Sequence, residues 1–182
     1  MLGCGGGREV FALQKRGFEV TGVDIVQKLI KFDKKSAKSK GVKVKFYNKD
    51  ICDLSFLKSS SFDYAIAFKS VLGHIPERKK VLKEIRKILK NRGILIFTTY
   101  YRYASIKRAF CLFILDTIKF LLNSFFEKNL EYGSWVTPEH CYVHMPSIRQ
   151  TKKEISEAGL KIKKISYSKK MKYMFFCCQK CV

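Results

Sequence analysis

The apolar residues along the chain follow two kinds of spacing, one typical of strands and one typical of helices. FDYAIAF at 62–68 is a short, almost wholly apolar run, as in a buried strand. The segment 76–89 instead places its apolar residues three and four apart, at Val81, Leu82, Ile85, Ile88 and Leu89, which predicts a helix ended by Asn91-Arg92-Gly93. The same criteria predict strands over 18–23, 42–47 and 94–98 and helices over 9–16 and 26–40. This alternation indicates an α/β fold: a Rossmann-like, doubly wound, mostly parallel sheet with helices on both faces.

Residues 100–145 interrupt that alternation. One helical face there is apolar, which predicts a helical insertion within a single domain spanning 1–182; its members are Ile106, Phe110, Phe113, Ile114, Thr117, Ile118, Leu121 and Phe125. Such a helix suits a lid over an apolar molecule or an interfacial helix, leaving peripheral membrane contact open. A basic aromatic patch, Tyr100 to Tyr103 with Lys107 and Arg108, suits stacking on unpaired bases instead. A helix over 147–158 and strands over 160–165 and 173–178 follow.

The formal charge of +22 raises the question of polyanionic partners. Of the 37 basic residues, 29 are lysine and they are spread along the chain, whereas arginine is the better group for bidentate phosphate or base contacts. A solvated lysine surface and a nucleic-acid footprint both remain open. The seven cysteines are expected to be reduced thiols, and no run is long enough to predict a transmembrane segment, so we expect a cytoplasmic protein.

Three glycines at the start of the chain alternate with other residues: Gly3, Gly5 and Gly7. Glycine lets backbone approach a ligand closely, and the following helix predicts a loop that binds one. The predicted strand over 18–23 is followed by Asp24, 17 residues after Gly7, where a carboxylate can accept both hydroxyls of a ribose. A nicotinamide fingerprint places its third glycine at position 8, which here is Arg8.

Together with LGCGGG, the phrases FEVTGVDI, VKFYNKDI, FDYAIAFKSVLGHIP and VLKEIRKILKNRGILIF make residues 2–98 resemble class I S-adenosylmethionine-dependent methyltransferases of the UbiE-like branch. Residues 147–180 match more loosely. The resemblance implies S-adenosylmethionine as cofactor. It implies these roles: the methionine part against Gly3, Gly5, Gly7 and Phe68, the ribose on Asp24, and the adenine against Ile25, Asp50 and Ile51. For Asp50 a helix N-cap is the alternative.

The chain departs from that family at its start. The family's first strand precedes the glycines, whereas this sequence begins Met1-Leu2. We therefore expect the domain to be incomplete at its N-terminus. Without that central strand, neighbouring strands would leave backbone groups unpaired.

Catalytic and substrate residues are less distinct in the sequence. There is no Asn/Asp-Pro-Pro-Tyr or Pro-Cys after Phe68, which argues against methylation of the adenine amino group or of pyrimidine C5. His74 is a candidate general base, with a structural histidine as the alternative. His140, Cys141 and His144 form a cluster without an evident fourth zinc ligand, so no metal is predicted. Tyr101 and His144 are candidate substrate-binding residues.

These observations favour a methyltransferase acting on a small-molecule acceptor, with tRNA as an alternative acceptor. Two rival classes remain: a catalytically inactive Rossmann-like domain that serves as a scaffold, and a nicotinamide oxidoreductase.

Overall fold

The structure is a computed structural model that describes residues 1–100, 114, 134–136, 142–168 and 173–181. In chain order its elements are α1 (Arg8–Gln14), β1 (Thr21–Asp24), α2 (Gln27–Ser39), β2 (Lys45–Asn48), β3 (Phe62–Ala67), a 3-10 turn (Val71–His74), α3 (Arg78–Ile88), β4 (Leu89–Tyr100), β5 (Ser134–Val136), β6 (Tyr142–His144), α4 (Ile148–Glu157), β7 (Leu160–Ser168) and β8 (Tyr173–Lys180). No helix in these ranges has the length and apolar composition needed to cross a bilayer.

Helical periodicity correctly predicted the four helices α1, α2, α3 and α4. The apolar stripe of α3 is buried at Val81, Leu82, Ile85 and Ile88. Ser147 caps α4, because its side chain accepts a hydrogen bond of 3.1 Å from the backbone of Gln150. The predicted and observed limits of these four helices differ by only a few residues.

The strands form three sheets in the described ranges. β1 pairs in parallel with β2, and β3 pairs in parallel with β4. β8 lies between β4 and β7 and is antiparallel to both, while β5 and β6 form an antiparallel pair. The α/β prediction is confirmed, with the refinement that the sheet is mixed: its parallel pairs lie in the first half of the chain and its antiparallel pairs in the second.

Two hydrophobic clusters flank these sheets. The larger joins α3 and α4 to β3, β4 and β8, and the smaller joins α1 and α2 to β2 and to Val20, which precedes β1. The backbone of Met1 and Leu2 lies between β1 and β3 and hydrogen-bonds to both. Leu2 N–H donates to the carbonyl of Ile66 at 2.8 Å, and Val23 N–H donates to the carbonyl of Met1 at 2.9 Å. The glycines that follow are thus placed between β1 and β3.

Two segments differ from the sequence prediction. Asn91 to Gly93 do not separate a helix from a strand but lie within β4, where Arg92 has a φ of 63° and the pairing with β3 shifts register. Part of the predicted helical insertion is the β5–β6 hairpin. Ile114 is helical, and the rest of that predicted helix lies outside the described residues.

Candidate active site

The glycine loop is closely packed on one side and open on the other. Gly3, Gly5 and Gly7 have φ values of 61°, 54° and 67°, in the left-handed region that favours glycine. A β-carbon on Gly3 would lie 2.5 Å from Cγ2 of Val71, whereas one on Gly5 would meet no atom within 4 Å. The loop therefore rests against the 3-10 turn and leaves space above Gly5 for a ligand.

Asp24 contacts this loop directly. One carboxylate oxygen, Oδ2, accepts the N–H of Gly5 at 2.7 Å, and Oδ1 accepts the N–H of Val26 at 2.9 Å. The side chain is buried at the carboxyl end of β1. The loop and the carboxylate, nineteen residues apart, are thus brought together as the sequence pattern requires.

The three residues expected around an adenine ring have different surroundings. Ile25 is 68% exposed beside Asp24. Asp50 is exposed after β2, and its Oδ1 accepts the N–H of Cys52 at 2.8 Å within a turn; no described helix begins there. Ile51 is 5% exposed and packs in the larger cluster with Leu54. Of the two isoleucines, Ile25 therefore offers far more surface to a ligand than Ile51.

Phe68 ends the β3 region, and the chain turns sharply after it. Lys69 and Ser70 have φ values of 56° and 57°, a conformation uncommon for residues with a β-carbon. Ser70 N–H donates to Oγ1 of Thr98 at 3.2 Å, which ties this turn to β4. Strain of this kind, roughly 1–3 kcal/mol per residue, concentrates at functional sites.

His74 ends the 3-10 turn whose first residue, Val71, supports Gly3. Its Nδ1 lies 3.1 Å from the backbone carbonyl of Tyr142. Because a carbonyl only accepts, Nδ1 carries the hydrogen, and in the neutral ring Nε2 keeps a lone pair. The imidazole is exposed and meets the ring of Tyr100 edge-on, at a centroid distance of 6.2 Å. His74 is thus an exposed imidazole whose ring is oriented by this contact, close to the turn that supports the glycine loop.

An aromatic pair stands beside His74 at the end of β4. The rings of Tyr100 and Tyr173 stack with centroids 5.2 Å apart. Burial raises the pKa of Tyr173 to about 12, and its hydrogen bond with Tyr100 contributes to the same rise. The phenol of Tyr173 therefore stays protonated at neutral pH.

Of the candidate substrate residues, the structure describes only His144. His144 is completely buried in β6, with its Nδ1 2.6 Å from Oγ of Ser134. Tyr101, His140 and Cys141 lie outside the described residues. The described part of the chain holds no group of three or more potential metal ligands.

Sequence reasoning missed a buried carboxyl beneath the glycine loop. Asp33 on α2 is fully buried, and neither of its oxygens has a hydrogen-bond partner among the described residues. Burial raises its pKa to about 6; the charge of Asp24 adds to the rise and Lys40 opposes it. The spacing of Ile30, Asp33 and Ala37 along one helical face was the signal that could have found it.

Packing around Gly7 shows that the carboxyl of Asp33 lies directly against the glycine loop. A β-carbon on Gly7 would lie 2.9 Å from Cγ of Asp33 and 2.9 Å from Cε2 of Phe11. Gly7 can therefore not be enlarged without moving Asp33 or α1.

The arrangement fits S-adenosylmethionine. The open side of the loop at Gly5 can receive the methionine part, and the carboxylate of Asp24 has lone pairs left for ribose hydroxyls. The exposed surface of Ile25 can cover one face of an adenine.

A family model for a methyltransferase domain matches residues 2–171. The chain therefore belongs to the methyltransferase-domain family, which confirms the predicted family and its cofactor, S-adenosylmethionine.

Individual similar proteins carry methyltransferase names. The chain is 27% identical over 137 residues to a ubiquinone biosynthesis O-methyltransferase of Chromobacterium violaceum, covering 75% of this chain and 57% of that protein. An S-adenosylmethionine-dependent methyltransferase of Methanosarcina mazei shares its fold with a TM-score of 0.79 at 22% identity, over 100% of this chain and 91% of that one.

The structure of a third similar protein contains bound ligands. The 1,6-didemethyltoxoflavin-N1-methyltransferase of Burkholderia thailandensis, with bound 1,6-didemethyltoxoflavin and S-adenosylhomocysteine, shares the fold with a TM-score of 0.71 at 15% identity, over 100% of this chain and 70% of that one. The chain spans about half the length of the curated relatives it matches.

Proposed function

We propose that this chain carries the cofactor site of a methyltransferase that transfers the methyl group of S-adenosylmethionine to a hydroxyl group of a small molecule. The contact of 2.7 Å between Gly5 N–H and the carboxylate of Asp24 carries the cofactor half of the proposal. The acceptor half is supported by the O-methyltransferases among the relatives and by the oriented lone pair of His74.

Each residue has a limited task in this reaction. The glycine loop and Asp24 hold the cofactor, which supplies an electrophilic methyl group when bound. As the acceptor oxygen forms its bond to that methyl carbon and the carbon–sulfur bond breaks, Nε2 of His74 takes the hydroxyl proton and later passes it to solvent. Transfer from a sulfonium otherwise depends on alignment, which a rigid loop provides.

Isothermal titration with S-adenosylhomocysteine and with NADH tests the cofactor site. We expect the first to bind and Asp24→Ala to weaken its binding by about 100-fold, because two hydrogen bonds to a charged group are lost. Asp63→Ala is the matched control, since this carboxylate pairs with Lys90 at the opposite end of β3. Binding of NADH would overturn the proposal, and binding of neither nucleotide would indicate a scaffold.

Transfer of labelled methyl groups to a panel of phenols and alcohols, with tRNA in parallel, tests the acceptor. We expect label in a small molecule and a loss of about 100-fold in kcat for His74→Gln. Labelling of tRNA alone, falling steeply with salt, would contradict the small-molecule assignment.

A cytoplasmic location forms part of the same proposal. It is supported by the cysteines that the structure describes, which are all free thiols, as expected in a reducing compartment.

A further inference from the structure

A buried ion pair joins α3 to α4 near the candidate base. Arg78 and Glu154 have side chains only 4% and 6% exposed, with Nη2 of the arginine 2.9 Å from Oε1 of the glutamate. Nε of Arg78 lies 3.4 Å from Oε2, so the contact is two-pronged. Arg78 is the first residue of α3, where the helix dipole disfavours a cation. Because desolvation offsets most of the attraction in such a pair, stability alone is a weak explanation for it.

The pair holds the hydroxyl end of one aromatic side chain. Nη1 of Arg78 donates to the hydroxyl of Tyr142 at 3.1 Å. The same hydroxyl lies 2.9 Å from Oγ of Ser134, which in turn reaches the buried ring of His144. The hydroxyl of Tyr142 is therefore anchored by Arg78 of α3 and by Ser134 of β5.

The backbone of Tyr142 holds the candidate base. Its carbonyl is the group 3.1 Å from Nδ1 of His74. Close packing keeps the turn and the hairpin together, since a β-carbon on Gly73 would lie 2.9 Å from the carbonyl oxygen of His144. A continuous chain of contacts thus runs from Glu154 through Arg78 and Tyr142 to His74.

We propose that the Arg78–Glu154 pair, acting through Tyr142, is a positioning device that keeps His74 as the Nδ1–H tautomer with Nε2 turned toward the acceptor. This inference rests on the base role proposed above for His74. Arg78, Glu154 and Tyr142 are positioning residues that do not touch the reacting atoms.

Nitrogen-15 NMR of histidine-labelled protein reads the tautomer directly and needs no substrate. The chain has three histidines, and His74→Gln assigns the signals of the one in question. We expect nearly pure Nδ1–H tautomer in the parent protein. Tyr142→Phe removes only the anchored hydroxyl and should give a mixture of tautomers. An unchanged signal in that variant would overturn the proposal.

A double variant separates positioning from stability. Arg78→Met with Glu154→Met replaces the ion pair by apolar groups, an exchange that is often neutral or stabilising for a fold. We expect its melting temperature to match or exceed that of the parent, while His74 shows mixed tautomers. If His74 keeps the pure Nδ1–H tautomer in the double variant, the proposed positioning role is wrong, whatever the stability of the variant.

Kinetics provide a second readout with any acceptor that the panel identifies. Tyr142→Phe should lower kcat about tenfold, a fraction of the effect of a general base, with KM and affinity for S-adenosylhomocysteine within twofold of the parent. Equal losses in kcat and in cofactor affinity would indicate general disruption and contradict the proposal. If the parent binds no S-adenosylhomocysteine, the proposed function fails, but the tautomer measurement still decides whether the device exists.

Discussion

The ionisation of one buried carboxyl, that of Asp33, affects the stability of this fold. Burial raises the pKa of Asp33 from 3.8 to about 6. Between about pH 4 and pH 6 the folded state therefore keeps a proton on this carboxyl that the unfolded state has released. The free energy of unfolding therefore falls as pH rises from about 4 to about 6, by roughly 3 kcal/mol at 1.36 kcal/mol per pKa unit, and this contribution is constant above that range.

Asp33→Asn should remove this penalty. At pH 8 the variant should be more stable than the parent by about 1–3 kcal/mol, and at pH 4 the advantage should vanish because the parent carboxyl is then largely protonated. Urea unfolding at both pH values measures the difference. Asp63→Asn, at an exposed carboxylate, serves as control and should show no such gain at pH 8. A stabilisation that is equal at both pH values would contradict the assignment to Asp33.

The glycine loop and the 3-10 turn act as one element, because Gly3 and Val71 leave no space between them. Gly3→Ala should weaken S-adenosylhomocysteine binding at least about tenfold, since its β-carbon would lie 2.5 Å from Val71 and the turn must move. Adding Val71→Ala should recover part of the affinity by making room.

Gly17→Ala separates strain from contact in this experiment. Gly17 has a φ of 87°, so alanine is strained there as well, but its β-carbon would meet nothing within 4 Å. It should lower stability by about 1 kcal/mol with unchanged affinity. Loss of affinity in Gly17→Ala, or no recovery in the double variant, would show that backbone strain and not the Gly3–Val71 contact governs binding. Isothermal titration gives each affinity.

Features that depend on residues close together in the sequence could be predicted. The stripe of α3 is a local pattern, and the glycine loop with Asp24 combines two local patterns at a fixed distance. The buried ion pair could not be predicted, because Arg78 and Glu154 are 76 residues apart and each is polar in an exposed-looking helix. Nor does a local pattern reveal the antiparallel place of β8 between β4 and β7, which depends on long-range pairing.

At the scale of the whole molecule, positive charge is far in excess. The formal net charge is +22, and nearly all described ion pairs involve partly exposed lysines, whose individual contributions are small. Repulsion among these like charges therefore opposes the compact state.

Added salt should accordingly stabilise the protein. Raising sodium chloride from about 20 mM to about 300 mM shortens the Debye length to below 10 Å, and this screens the distributed repulsion more than the close contact of Arg78 with Glu154. We expect the melting temperature to rise by about 2–6 °C, equivalent to roughly 1–2 kcal/mol for a chain of this size. Sucrose at equal osmolality is the control for solvent effects that do not depend on charge. A melting temperature that falls with sodium chloride would mean that surface ion pairs outweigh repulsion, and the lysine-rich surface would then be a net stabilising feature of the fold.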